Sequence, residues 1–134
     1  MIERASLMTR NWLIVAFALI SLPAAAHHSG AQYDHTQLIT VSGVVTKMEW
    51  ANPHSRLYVE GQAGNSEESQ WQIDLPSVNR LVRLGWTRHA LNAGDKVTVI
   101  GAPLRGTPHV AWAVNVLDAS GKKLFVGSAT ANPQ

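Results

Sequence analysis

From Leu38 to Val126 the chain alternates apolar and polar residues in short runs, each interrupted by Gly, Pro, Asn or Ser. A period of two marks strands with one buried face. The first run, Leu38 to Trp50, changes phase on the way. Ile39 and Val41 are apolar at odd positions, whereas Val44, Met48 and Trp50 are apolar at even ones. A strand can change face only by bending or by gaining a residue, and the flip is expected at Ser42-Gly43, where glycine permits it. Asn52-Pro53 supplies turn chemistry before a second strand opens at His54. Its inward face is Ser55, Leu57 and Val59; His54, Arg56, Tyr58 and Glu60 face out. After the polar loop GQAGNSEES a third strand runs from Gln70 to Leu75. Trp71, Ile73 and Leu75 are expected inside, with Gln70, Gln72 and Asp74 outside.

At Pro76-Ser77 the period changes. Val78, Leu81 and Val82 fall at helical spacing, Ser77 is a candidate N-cap and Gly85 a C-terminal stop, so a helix of about two turns is predicted. Thr87 to Leu91 is a candidate further turn. Lys96 to Gly101 then forms a fourth strand, APLRGTP a Gly- and Pro-rich loop, and His109 to Leu117 a fifth strand with Val110, Trp112, Val114 and Val116 inward. Lys123 to Val126 can add a short hairpin strand. Of the five tryptophans, Trp50 and Trp86 flank loops and are expected to be the most exposed. Strand-strand-strand-helix-strand-strand, with a bent first strand, is the order of an OB-like five-stranded Greek-key barrel. A β-sandwich fragment is the competing architecture, and the single helix between the third and fourth strands speaks against it. The barrel domain is assigned to residues 38–127.

The N-terminus has a different character. Met1 to Arg10 carries Arg4 and Arg10, Trp12 to Leu22 is apolar, and Ala24-Ala25-Ala26 follows Pro23. These are the three parts of a signal peptide, expected over residues 1–26 with cleavage after Ala26. The apolar run is about half of the ~20 residues that span a bilayer; an uncleaved anchor is the other reading. Cleavage leaves 108 residues (134 less 26), with a polar arm over 27–37 and a disordered tail over 128–134. Without Arg4, Arg10 and Glu3 the charge falls from +2 to +1, so no field for nucleic acid or anionic lipid is implied. The chain has no cysteine, which excludes disulfides, a lipoprotein anchor and thiolate ligands. A bacterial periplasmic protein, free of the membrane after cleavage, fits these features.

Histidine is then the strongest metal-ligand type available. An N-terminal His27 chelates through its α-amino and ring nitrogens together, with His28, Asp34 and His35 in reach, a donor set suited to copper and then zinc. A solvated polar start is the bland alternative. In an OB barrel, ligands bind the face of strands two and three, bordered by the first and fourth inter-strand loops. His54 and His109 follow those loops and form a second candidate metal site, although a histidine at a strand start is more often a structural hydrogen bonder. Trp50, Arg56, Tyr58, Gln72 and Asp74 populate the neighbouring partner face. The arm is expected to enter the first strand at the end opposite its exit. Joining both histidine sets would need roughly 36 Å of extended arm and much ordering.

No nucleophile, phosphate loop or paired-histidine zinc pattern supports an enzyme. Nucleic-acid binding would need a basic groove with stacking aromatics, for which Arg56 and Tyr58 qualify alone.

The residues His27-His28-Ser29, Tyr33-Asp34, Glu49-Trp50-Ala51-Asn52-Pro53-His54, Trp71-Gln72-Ile73-Asp74, Leu84-Gly85-Trp86-Thr87-Arg88 and Gly94-Asp95-Lys96-Val97 resemble a family of short exported bacterial proteins classed as a domain of unknown function. The likeness runs to about Leu117, and Glu-Trp followed by Asn-Pro-His is its most distinctive part. It implies export and a small β-rich domain, and it supplies no activity. An acidic residue, usually glutamate, stands in that family at the position of Asp74; aspartate keeps the charge and shortens the reach. The double histidine and the Asn-Pro-His turn occurring together favours a functional histidine, though shared ancestry would also preserve a structural turn. The expectation is a non-enzymatic periplasmic protein binding copper or zinc through histidines. The alternative is an envelope interaction or stress module that uses the strand two–three face without metal.

Overall fold

The computed structural model describes residues 32–127; the expected signal peptide, the His27-His28 pair and the tail lie outside them. Six strands and one helix follow in order: β1 (Ile39–Glu49), β2 (Arg56–Ala63), β3 (Ser69–Asp74), α1 (Val78–Arg83), β4 (Lys96–Pro103), β5 (Val110–Asp118) and β6 (Lys123–Val126). The sheet order is β3-β2-β1-β4-β5-β6, and a further parallel pairing of β3 with β5 closes the first five strands into a barrel. This is the OB-like arrangement that the element order predicts. β6 is appended to the C-terminal half of β5 by a tight turn, in which Asp118 Oδ1 accepts from Ser120 N at 2.8 Å and Lys122 N at 3.0 Å.

The alternation of β2 and β3 is as expected inside: Leu57, Val59, Ile73 and Leu75 are fully buried, together with Val41, Val99 and Leu81. β1 departs from expectation. Val44 is 38% exposed and Val45 only 1%, so the odd-numbered face continues inward through Gly43. The phase change falls at a β-bulge between Val45 and Lys47, after which Met48 and Trp50 pack against the core. Gly43 keeps a separate duty. It pairs with Gly61 of β2, and a Cβ on Gly43 would stand 2.1 Å from the Glu60 carbonyl oxygen. β1 and β2 therefore cross at a backbone separation that no side chain allows.

β5 also differs. Ala111, Ala113 and Val116 belong to the core, whereas Trp112, although 4% exposed, faces the outer side and stacks with Tyr33 and His54. The reason is an extra residue at Val114: Ile100 pairs with Asn115 and Gly101 with Ala113, which reverses the facing of β5 along its length. At the Trp112 end the barrel is narrow, since a Cβ on Gly101 would lie 3.1 Å from that of Ala111. Only small side chains fit inside there.

α1 is capped as predicted, with Ser77 Oγ accepting from Arg80 N and Gly85 at φ 87° ending it. Leu81 is its buried residue, while Val82 is 55% exposed. Trp86, expected near the surface, is buried. Its indole donates to the Leu124 carbonyl at 2.6 Å and meets Phe125 edge-on, which ties the segment after α1 to β6.

Candidate functional site

The stagger of the barrel decides which residues meet. Ile39 pairs with Gly101, Ala102 with Trp112, Trp112 with Asp74, Asp74 with Arg56, and Arg56 with Glu49. One circuit of the sheet thus climbs about ten residues along β1, from its start to its end. The segment entering β1 therefore reaches the rim formed by the end of β3 and the starts of β2 and β5.

Residues 32–36 use that geometry. Tyr33 bridges to Leu104, Asp34 N donates to the Pro103 carbonyl at 2.8 Å, and Arg105 N donates to the Gln32 carbonyl at 3.0 Å. Arg105 also pairs with the Asp34 carboxylate at 3.5 Å. Hydrogen bonds from the Thr36 hydroxyl and amide, with a smaller contribution from Arg105, hold that carboxyl below its ordinary range. The arm expected as a lead-in at the opposite end is, from Gln32 onward, strapped across the loop between β4 and β5.

The strap delivers Tyr33 to Asp74. The Tyr33 hydroxyl donates to Asp74 Oδ2 at 2.5 Å, Gln72 Nε2 donates to Asp74 Oδ1 at 2.9 Å, and Arg56 Nε stands 3.6 Å from the same oxygen. Asp74, expected on a wet outward face, is only 8% exposed, with Tyr33 folded over it. Burial first, then the hydrogen bond to and charge of Asp74, raise the Tyr33 phenol well above its ordinary value. Arg56 also pairs with Glu49 at 3.6 Å, and Glu49 accepts from the Tyr58 hydroxyl at 3.2 Å. Desolvation and Glu49 raise the Tyr58 phenol too, and Lys47 Nζ lies 5.5 Å from the centre of its ring. Glu49, Arg56, Tyr58, Gln72 and Asp74 are thus one connected polar face. Tyr33 and Trp112, neither singled out from the sequence as site residues, complete it. Tyr33 sat in a segment without apolar period, and Trp112 read as core.

The loop between β1 and β2 has structural duties. Asn52 Oδ1 accepts from Val78 N at 3.1 Å, capping α1 from outside, and Asn52-Pro53 is cis. Ser55, fully buried, bonds through its hydroxyl to Ala51, and its backbone bonds to Leu75 and Pro76. His54 leaves this loop half-buried, with its ring edge-on to Trp112 at 5.4 Å.

His109 lies elsewhere. It is exposed at φ 58°, with its ring edge-on to Trp71 at 5.0 Å, and its carbonyl accepts from Gln72 N. Trp71 and Asp74 are three β3 residues apart, roughly 10 Å, so the two histidines lean on different tryptophans at different levels of the barrel. Among the described residues no group of three or more His, Asp and Glu side chains gathers as a metal cage. Trp50 packs against the core on the far side of β1 from Arg56, in a groove with Arg88 and His89.

The model of a family of unknown function, DUF6152, matches residues 16–112, well over half of the chain. The protein belongs to this family. The DUF6152 match takes in the arm, the Asn-Pro-His loop, α1 and every residue of the polar face, and it stops at Trp112. No curated protein and no solved structure matches the chain. A hollow of about 550 Å³ in this DUF6152 protein lies over Ser42–Val44, Lys96–Thr98 and the turn after β5, apart from the Asp74 rim.

Proposed function

We propose that this protein is an exported, non-enzymatic binding protein of the periplasm that takes up a divalent metal, copper before zinc. His27 and His28 of the arm would be the first ligands and His54 of the rim a partner, with His109 as a separate barrel histidine. The observation that supports the reading is the strap. Tyr33, held by Asp74, Trp112 and Leu104, shares Trp112 with His54. His27 lies six residues before Tyr33, so the chain spans at most roughly 20 Å from that anchor. The ordering cost of bringing arm and rim together is correspondingly smaller. A terminal amine with adjacent imidazoles favours copper.

The test is a copper titration, followed by calorimetry, of protein with an authentic His27 terminus and of a sample with one extra residue ahead of His27. Tight binding that weakens at least about a hundredfold in the extended sample is expected. Binding no tighter than that of an unstructured histidine peptide in both samples would sink the metal reading.

A second reading rests on a different observation. Arg56, Tyr58 and Gln72 are half-buried and fixed by mutual hydrogen bonds and ion pairs, with charges nearly balanced across the face. A rigid polar face of that kind suits an envelope protein partner. It takes precedence if copper fails and substitutions at Arg56 or Gln72 abolish a physical association.

A further inference from the structure

On the other side of β1 the sheet is incomplete. β4 pairs with β1 only as far as Val44, and Val45 is then closed off by Asp95 and Gly94. From Thr46 to Glu49, β1 has a strand neighbour on the β2 side alone. The turn 87–93 stands opposite, and between them runs a groove of about 380 Å³ lined by Lys47, Met48, Trp50, Arg88, His89 and Leu91 among others. Met48 and Trp50 are half-buried and Leu91 is buried, so the floor is apolar. Arg88 and His89 on its wall are exposed, whereas the Lys47 side chain turns to the Tyr58 ring on the other face of β1.

The nearby carboxylates are committed elsewhere. Glu49 pairs with Arg56 and accepts from Tyr58 on the opposite face of β1. Asp95 accepts from Asn92 N and lines a neighbouring hollow instead. Among the described residues neither Arg88 nor His89 has an ion-pair partner. The groove is thus apolar at its base, carries the Arg88 guanidinium on its wall and has no acid among its lining residues.

From this charge complementarity we propose that the groove docks an acidic, extended peptide segment of a partner protein. An apolar or aromatic residue of that segment would sit against Met48, Trp50 and Leu91, and a flanking glutamate or aspartate would lie on Arg88. Guanidinium recognises carboxylate in a planar fork that water or a lone ammonium does not match. The site is distinct from the Asp74 rim and does not depend on metal.

The experiment is an NMR titration of 15N-labelled protein purified from the periplasm. One probe is a blocked peptide alternating Glu with Leu and Phe; the other has Lys in place of every Glu. Shifts confined to the amides of 46–50 and 88–93, with the Glu peptide alone, are expected. Arg88→Glu should weaken that binding about fivefold or more and leave the spectrum of the free barrel otherwise unchanged, as befits an exposed side chain. Shifts at Arg56, Tyr58 and Gln72 instead, equal response to both peptides, or no response at millimolar peptide would each overturn the proposal.

Discussion

Asp74 accepts from Tyr33 and Gln72 and faces the Arg56 guanidinium, so a single carboxylate joins the strap to two strands. Removing the Tyr33 hydroxyl leaves a nearly buried acceptor short of one donor. Tyr33→Phe should therefore cost about 1.5 kcal/mol in urea denaturation, between the neutral and charged hydrogen-bond ranges because Tyr33 is only half-buried. The pH dependence has a definite sign. The folded phenol is raised above its unfolded value near 10, so its contribution is complete below about pH 10 and is lost as pH rises toward the folded value. Stability should fall above about pH 10, and Tyr33→Phe should flatten that fall; an unchanged alkaline slope would contradict it. The sequence placed Asp74 on the correct outward side of β3 but not its burial. Alternation describes a strand's two faces and says nothing of a segment forty residues upstream that folds over one of them.

At the level of the element, both misplacements accompany a bulge, in β1 between Val45 and Lys47 and in β5 at Val114. Gly43-Val44-Val45-Thr46 offers two adjacent valines, and hydropathy alone cannot choose which one faces the core once a bulge is allowed. In β5, Ala-Trp-Ala reads most naturally with the tryptophan inside, yet the tight approach of Gly101 to Ala111 leaves room only for methyl groups. The helix and its stops were legible because Ser77 and Gly85 act through local backbone geometry that the sequence carries directly. Gly43 remains essential for a reason that alternation cannot express. A methyl there meets backbone rather than a movable side chain, so Gly43→Ala should lower stability by about 3 kcal/mol or more. Gly64, at φ 59° with open space around its Cβ position, provides the contrast: Gly64→Ala should cost only about 1 kcal/mol. Urea midpoints of the two variants, at equal denaturant slope, measure the difference. Similar losses at both positions would remove the β1–β2 crossing as the cause.

For the molecule as a whole, the barrel's stagger converts a lead-in segment into part of a rim. The order of elements announces the barrel, but which loops share an end depends on a shear of about ten residues, and that is a property of the closed sheet rather than of any stretch of sequence. If the arm binds metal as proposed, a docked strap brings its ligands close to the rim, and copper affinity should then depend jointly on Tyr33 and His54. In protein with an authentic His27 terminus, His54→Ala should weaken copper binding about tenfold. In a Tyr33→Ala background, where the anchor to Asp74 and Trp112 is gone, the same change should cost less than about twofold, because the second ligand no longer gains from proximity. Circular dichroism on each variant establishes that the barrel is intact, and increased acrylamide quenching of Trp112 in Tyr33→Ala reports that the strap has lifted. Additive losses, with His54→Ala equally harmful in both backgrounds, would mean that His54 acts apart from the arm. No loss in either would remove His54 from the proposed copper site.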